Sequence, residues 1–244
     1  MYLDHGTLET PAVALTCAAR EALRMGDEVK KMLLAAGTVL RSDDETLKKE
    51  TEAADDTVDR LHEAIKLYLT KLNNEELDTQ ESGRCVEILN FTTNLEHIGD
   101  IIDKNLMELA SKKIKNHTAF SADGMAELES FHARIVANLD LAMNVFASGD
   151  IELARQLLRQ KAQVRELERK YIENHYERVG ARRPESITSS SLHLDVLRDL
   201  KRINSHLTSA AYSILERAGE LTESRLVEHI KIAKGQSVAS PDLS

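Results

Sequence analysis

Apolar residues along the chain recur at spacings of three and four, the period of one face of an α-helix. Leu47, Thr51, Ala54, Val58, Leu61, Ile65, Tyr68 and Leu72 alternate the two spacings and form one stripe, which reads as a packing seam. Leu95, Ile98, Ile102, Leu106 and Leu109 mark a second seam. Helix starts are signalled by Thr10-Pro11, a cap residue ahead of a proline at the first helical position, and by Ser42…Glu45 and Asp78…Glu81, which have capping-box spacing. The pattern predicts helices over roughly 10–40, 43–73 and 79–115, a polar break at 116–123, and three more helices near 122–147, 150–178 and 188–217. Residues from Gln236 to Ser244 read as a frayed tail.

The second set of helices repeats the first. A shift of 106 aligns Val58, Leu61 and Ile65 with Val164, Leu167 and Tyr171, and a shift of 105 aligns Leu89, Leu95, Ile98 and Ile102 with Leu194, Leu200, Ile203 and Leu207. Nearly equal shifts for two separate helices point to duplication of a three-helix unit. The expected fold is therefore all-α: two tandem three-helix bundles in an elongated six-helix body, with repeats at 1–117 and 118–235 and a disordered tail at 236–244.

Composition agrees with this reading and narrows the functions. Ten glycines, three prolines and 4% aromatics leave a chain rich in good helix formers. A formal charge of −9 argues against a protein that coats nucleic acid. Cys17 and Cys85 are far apart and form neither a CxxC nor a Cys/His cluster, so a reducing cytosol fits best. The longest run without a charged residue, Ile203 to Leu215, is well short of the roughly 18 apolar residues of a membrane span. The opening Met1-Tyr2-Leu3-Asp4 does not resemble a signal peptide.

Carboxylates carry the candidate chemistry. Asp55 and Asp59 are four residues apart at the edge of the first seam, and Glu96 and Asp100 repeat that spacing on the next helix. Packed side by side, the four would repel unless protons or a hard cation neutralised them. His62 and His97 lie nearby in sequence. The bland alternative is a solvated acidic face. Under the repeat shifts, Asp55, Asp59, Glu96 and Asp100 become Lys161, Arg165, Lys201 and Ser205, so the charge reverses in the second half. Lys161, Arg165 and Lys201 are candidates for an anion-binding or partner-binding surface.

The run Asn94-Leu95-Glu96-His97-Ile98-Gly99-Asp100, with Asp55-Asp56-Thr57-Val58-Asp59 before it, resembles the paired E(D)xxxD signatures of the PhoU family. That resemblance implies two three-helix repeats, a link to phosphate homeostasis, and a metal site at Asp55, Asp59, Glu96 and Asp100 for a divalent or trivalent ion such as iron, zinc, manganese or magnesium. Tyr2-Leu3-Asp4 with Thr10-Pro11-Ala12, then Arg20 to Met25, and Leu200 to His206 are similar to the PhoU-like cytosolic domain of bacterial sodium/phosphate cotransporters. The implied role is a regulatory or interaction domain, not an enzyme. It would sit in the cytoplasm at the cytosolic face of the inner membrane, partnered by a transporter membrane domain in the same or another polypeptide, with homo-oligomers as a further expectation. Two alternatives are a metal-independent helical oligomerisation module and a carboxylate-bridged metalloenzyme. The second needs two Glu-x-x-His motifs, and the single instance, Glu129-Ser130-Phe131-His132, reads as an outer-face pair on the fourth helix. No phosphate loop, GxGxxG turn or HExxH helix is present.

Overall fold

The computed structural model describes residues 2–73 and 76–220. The first half packs α1 (Pro11–Ser42), α2 (Glu45–Leu72) and a third helix that runs as α3 (Thr79–Asp100), a π-helical segment (Ile101–Met107) and α4 (Glu108–Lys115). The second half packs α5 (Ala122–Ser148), α6 (Ile151–Gly180) and, after the short α7 (Pro184–Thr188), a third helix made of α8 (Ser190–Leu207), a 3-10 turn (Thr208–Ala211) and α9 (Tyr212–Arg217). The expected six-helix, twofold-repeated architecture is what the chain adopts. The tail at 236–244 lies outside the described residues.

Both seams face inward. Thr51, Val58, Leu61, Ile65, Tyr68 and Leu72 are buried, as are Leu95, Ile98, Ile102, Leu106 and Leu109. The second seam has two consecutive spacings of four, Ile98 to Ile102 to Leu106. A regular α-helix would rotate such a stripe away from the core, whereas the wider turn of a π-segment holds it in line. The helix widens at this place, over Ile101–Met107. The corresponding stretch of the second half also departs from α geometry, tightening to 3-10 at Thr208–Ala211.

Capping differs from expectation at one start. Asp78 and Glu81 form the reciprocal box, with Glu81 N–H donating to Asp78 at 2.7 Å and Asp78 N–H to Glu81 at 3.1 Å. Ser42 instead ends α1, and Asp44 caps α2 by accepting from the N–H groups of Thr46 and Leu47, each at 2.9 Å. Asp43, between them, takes a left-handed conformation with φ of 57° that turns the chain sharply enough to place the cap two residues past the expected Ser42.

The halves share one core. Phe91 stacks on Phe146 with centroids 4.0 Å apart and planes 6° off parallel. Lys30 pairs with Asp140 at 2.6 Å, and His132 Nε2 bonds the Leu33 carbonyl at 2.7 Å. That last contact corrects the outer-face reading of His132: the imidazole lies half-buried between α5 and α1, where Gly37 makes room for it. Only Glu129 of that pair stays at the surface, 3.5 Å from Arg41.

Candidate functional site

Helices α2 and α3 approach closely at Gly99, where a Cβ would stand 2.6 Å from Asp55 Oδ1. The missing side chain lets the backbone of α3 cover the Asp55 carboxyl, which is 7% exposed and not the seam-edge group expected. Asp55 Oδ1 has no hydrogen-bond partner among the described residues. Burial, reinforced by the nearby charges of Asp59, Asp103 and Asp100 and opposed by Lys104, raises the Asp55 pKa to about 7. Asp103 is raised in the same direction by burial and by Glu52, with Lys104 opposing and Asp100 and Asp56 adding to the rise.

Three of the four expected carboxylates therefore share one electrostatic field: Asp55, Asp59 and Asp100. Glu96 does not join them and lies 3.5 Å from His97 Nε2. Lys104, one turn beyond Asp100, donates to it and neutralises the open edge of the group. Sequence reasoning missed Lys104 and Asp103, although the Asp100/Lys104 spacing of four was there to be read. No group of three or more His, Cys, Asp or Glu side chains stands in a metal-holding arrangement among the described residues. In this arrangement the four expected ligands do not close around an ion.

The basic positions of the second half do share a surface. Lys161, Arg165 and Lys201 line one groove with Tyr212 and Glu168. Lys161 Nζ donates to the Tyr212 hydroxyl at 2.9 Å, Lys201 pairs with Glu168 at 2.8 Å, and Arg165 is exposed.

A further polar cluster, not anticipated from sequence, lies inside the second half. Glu127 on α5 accepts two bonds from Arg178 on α6, at 3.0 and 2.7 Å, and one from Asn174 at 2.9 Å. His175 and His193 stack beside them at 4.7 Å, each 1% exposed, and His175 Nε2 meets Ser190 Oγ at 2.8 Å. Each of these residues reads alone as an ordinary helix position. Only the packing of three helices brings them together.

Comparison with known proteins places this geometry in a family. The PhoU domain model matches residues 22–108 and 128–214, one match per half. The chain is 42% identical over 219 residues, 90% of its length, to the YjbB protein of Escherichia coli K12, and 42% identical over 216 residues to that of Salmonella typhimurium. Both are named for a proposed role in inorganic phosphate export. The chain spans 40% of the length of these relatives. Among solved structures, PhoU from Pseudomonas aeruginosa superposes with a TM-score of 0.76 at 19% identity, over 85% of this chain and 98% of that one. The phosphate transport system regulatory protein PhoU from Streptococcus pneumoniae gives 0.76 at 15% identity, over 88% and 100%. With the same domain recognised in each half and the whole bundle shared with solved PhoU proteins, the chain belongs to the PhoU domain family.

Proposed function

We propose that the chain is a non-enzymatic regulatory and interaction module of a phosphate-transport protein, acting on the cytosolic side of the membrane. The observation that carries this reading is the 42% identity over 90% of the chain to proteins named for phosphate export, joined to the PhoU match in both halves. No described helix is long and apolar enough to cross a membrane, so transport requires a membrane partner, in the same or another polypeptide. Sodium dependence belongs to the proposal on the likeness of Tyr2 to Asp4, Arg20 to Met25 and Leu200 to His206 to the cotransporter domains.

Metal binding at Asp55, Asp59, Glu96 and Asp100 is the second part of the proposal. It requires Lys104 to leave Asp100 and Glu96 to turn from His97. The buried Asp55 oxygen without a donor favours it, because a cation would supply the missing positive partner.

One experiment tests both parts. Cells carrying the native protein or the Asp55→Asn/Asp100→Asn variant are assayed for phosphate flux with and without external sodium, and the purified chains for bound metal by elemental mass spectrometry. The proposal expects altered, sodium-dependent flux in the variant and near-stoichiometric metal only in the native chain. Unchanged flux overturns the regulatory role of this site, and equal metal content in the two chains overturns the ligand assignment.

A further inference from the structure

One face of α6 carries Leu158, Ala162, Arg165, Arg169, Ile172 and Tyr176, with spacings of four, three, four, three and four. That is the register of a helix–helix seam, yet these side chains line an open groove whose other wall is Lys201 and Tyr212. Ala162 and Arg165 are exposed, and Tyr176 is 60% exposed. The stripe is about 27 Å long, five helical turns.

Its charges are unevenly matched. Arg169 is held between Glu166 and Glu173, and Lys201 by Glu168. Lys161 donates to the hydroxyl of Tyr212, a neutral group, and no carboxylate pairs with Arg165 among the described residues. With a second glutamate left over beside Arg169, the groove keeps one net positive charge, centred on Lys161 and Arg165 between apolar side chains at both ends.

The other half shows that this pattern is not a by-product of the fold. Under the shift of 106, the same stripe on α2 reads Glu52, Asp56, Asp59, Glu63, Lys66 and Thr70, without one apolar residue. The corresponding helix carries an acidic stripe without apolar residues in one half and an apolar, centrally basic stripe in the other.

We infer that the α6 groove docks an amphipathic helix of a protein partner, with apolar residues at three/four spacing seated on Leu158, Ala162, Ile172 and Tyr176 and a carboxylate opposite Arg165 and Lys161. A free inorganic anion would use only the cations and leave the apolar positions wet. A second copy of the chain could offer the acidic α2 stripe, but that stripe has nothing to cover Leu158, Ile172 and Tyr176. The inference stands apart from the proposed metal site and from transport itself.

The test titrates the purified chain against fluorescein-labelled designed helices of about 21 residues, roughly 30 Å long, with leucines at three/four spacing and one or two central glutamates placed in both chain directions. Matched peptides carry lysine in place of glutamate. Acidic helices are expected to bind tighter than ~1 mM, and Arg165→Ala and Tyr176→Ala each to weaken binding about fivefold or more, with melting unchanged because both side chains are exposed. Lysine peptides are expected to bind at least about fivefold more weakly. The inference is overturned if no acidic helix binds, if binding survives both substitutions, if lysine peptides bind equally, or if inorganic phosphate alone binds by calorimetry. It is also overturned if sedimentation shows a dimer of the native chain that Arg165→Ala dissolves.

Discussion

His193 and His175 stack inside the second half beside Arg178, with one carboxylate, Glu127, to balance the charge. Burial, followed by the neighbouring His175 and opposed by Glu127, lowers the His193 pKa to about 4, and Arg178 pushes it the same way as burial. His175 is lowered too, by burial and by Arg178. A histidine whose folded pKa is depressed takes up its proton more readily in the unfolded chain, so stability is full above about pH 6.5 and falls as pH drops toward 4. Urea midpoints at pH 7.5 and 5.0 are expected to differ by less in His193→Asn than in the native chain. An identical pH slope in the two proteins would remove His193 from the account. No spacing in the sequence flags this cluster, since Glu127, Arg178 and His193 come from three helices. Asp55 is similar: its position on α2 was legible, but its burial depends on Gly99 of another helix.

At the level of elements, the packing of α1 on α5 turns on two glycines that differ in what faces them. At Gly26 a Cβ would meet the Met143 thioether at 3.1 Å, a flexible chain that can give. At Gly37 it would meet the His132 ring at 2.7 Å, and that ring is held by the Leu33 carbonyl. Gly26→Ala should be neutral or stabilising by up to ~1 kcal/mol through helix propensity, whereas Gly37→Ala should cost about 1–2 kcal/mol by overpacking. Chemical denaturation of the two variants side by side decides it, and equal effects would refute the distinction. The helices themselves were readable, because periodicity reports which face is buried. Their partners were not, which is why His132 looked like a surface residue: a lone histidine beside a seam carries no mark of the helix that will cover it. The α2 cap moved from Ser42 to Asp44 for a related reason, the left-handed Asp43 being a backbone event that residue types announce weakly.

Across the molecule, the buried apolar residues of both halves form one continuous core, so the repeats legible in the sequence are expected to unfold together. Phe131, fully buried in the second half, packs edge-to-face on Tyr171 at 6.1 Å. Phe131→Ala should cost about 3–5 kcal/mol and, although Phe131 lies in the other half, should bring thiol labelling of the buried Cys85 to lower denaturant concentration in step with the loss of helical circular dichroism. Labelling that stays at the native midpoint would mean that the halves unfold separately. Duplication was visible because seams of both halves align, whereas the sharing of one core rests on contacts such as Phe91 on Phe146, which no single-chain pattern encodes.

The π-segment at Ile101–Met107 has a consequence for changes in chain length. A helix that has already absorbed surplus residues can lose one there by tightening to α geometry. The residues beyond then keep their orientation: Leu109 and Ala110 still face the core, and Lys113 still reaches Asp43. The same deletion in the middle of α2 would rotate everything after it by a residue and turn Ile65, Tyr68 and Leu72 out of the core. Relatives of this chain can therefore lose a residue beside the acidic group and keep their fold, which makes that stretch the first place to look for a shorter helix.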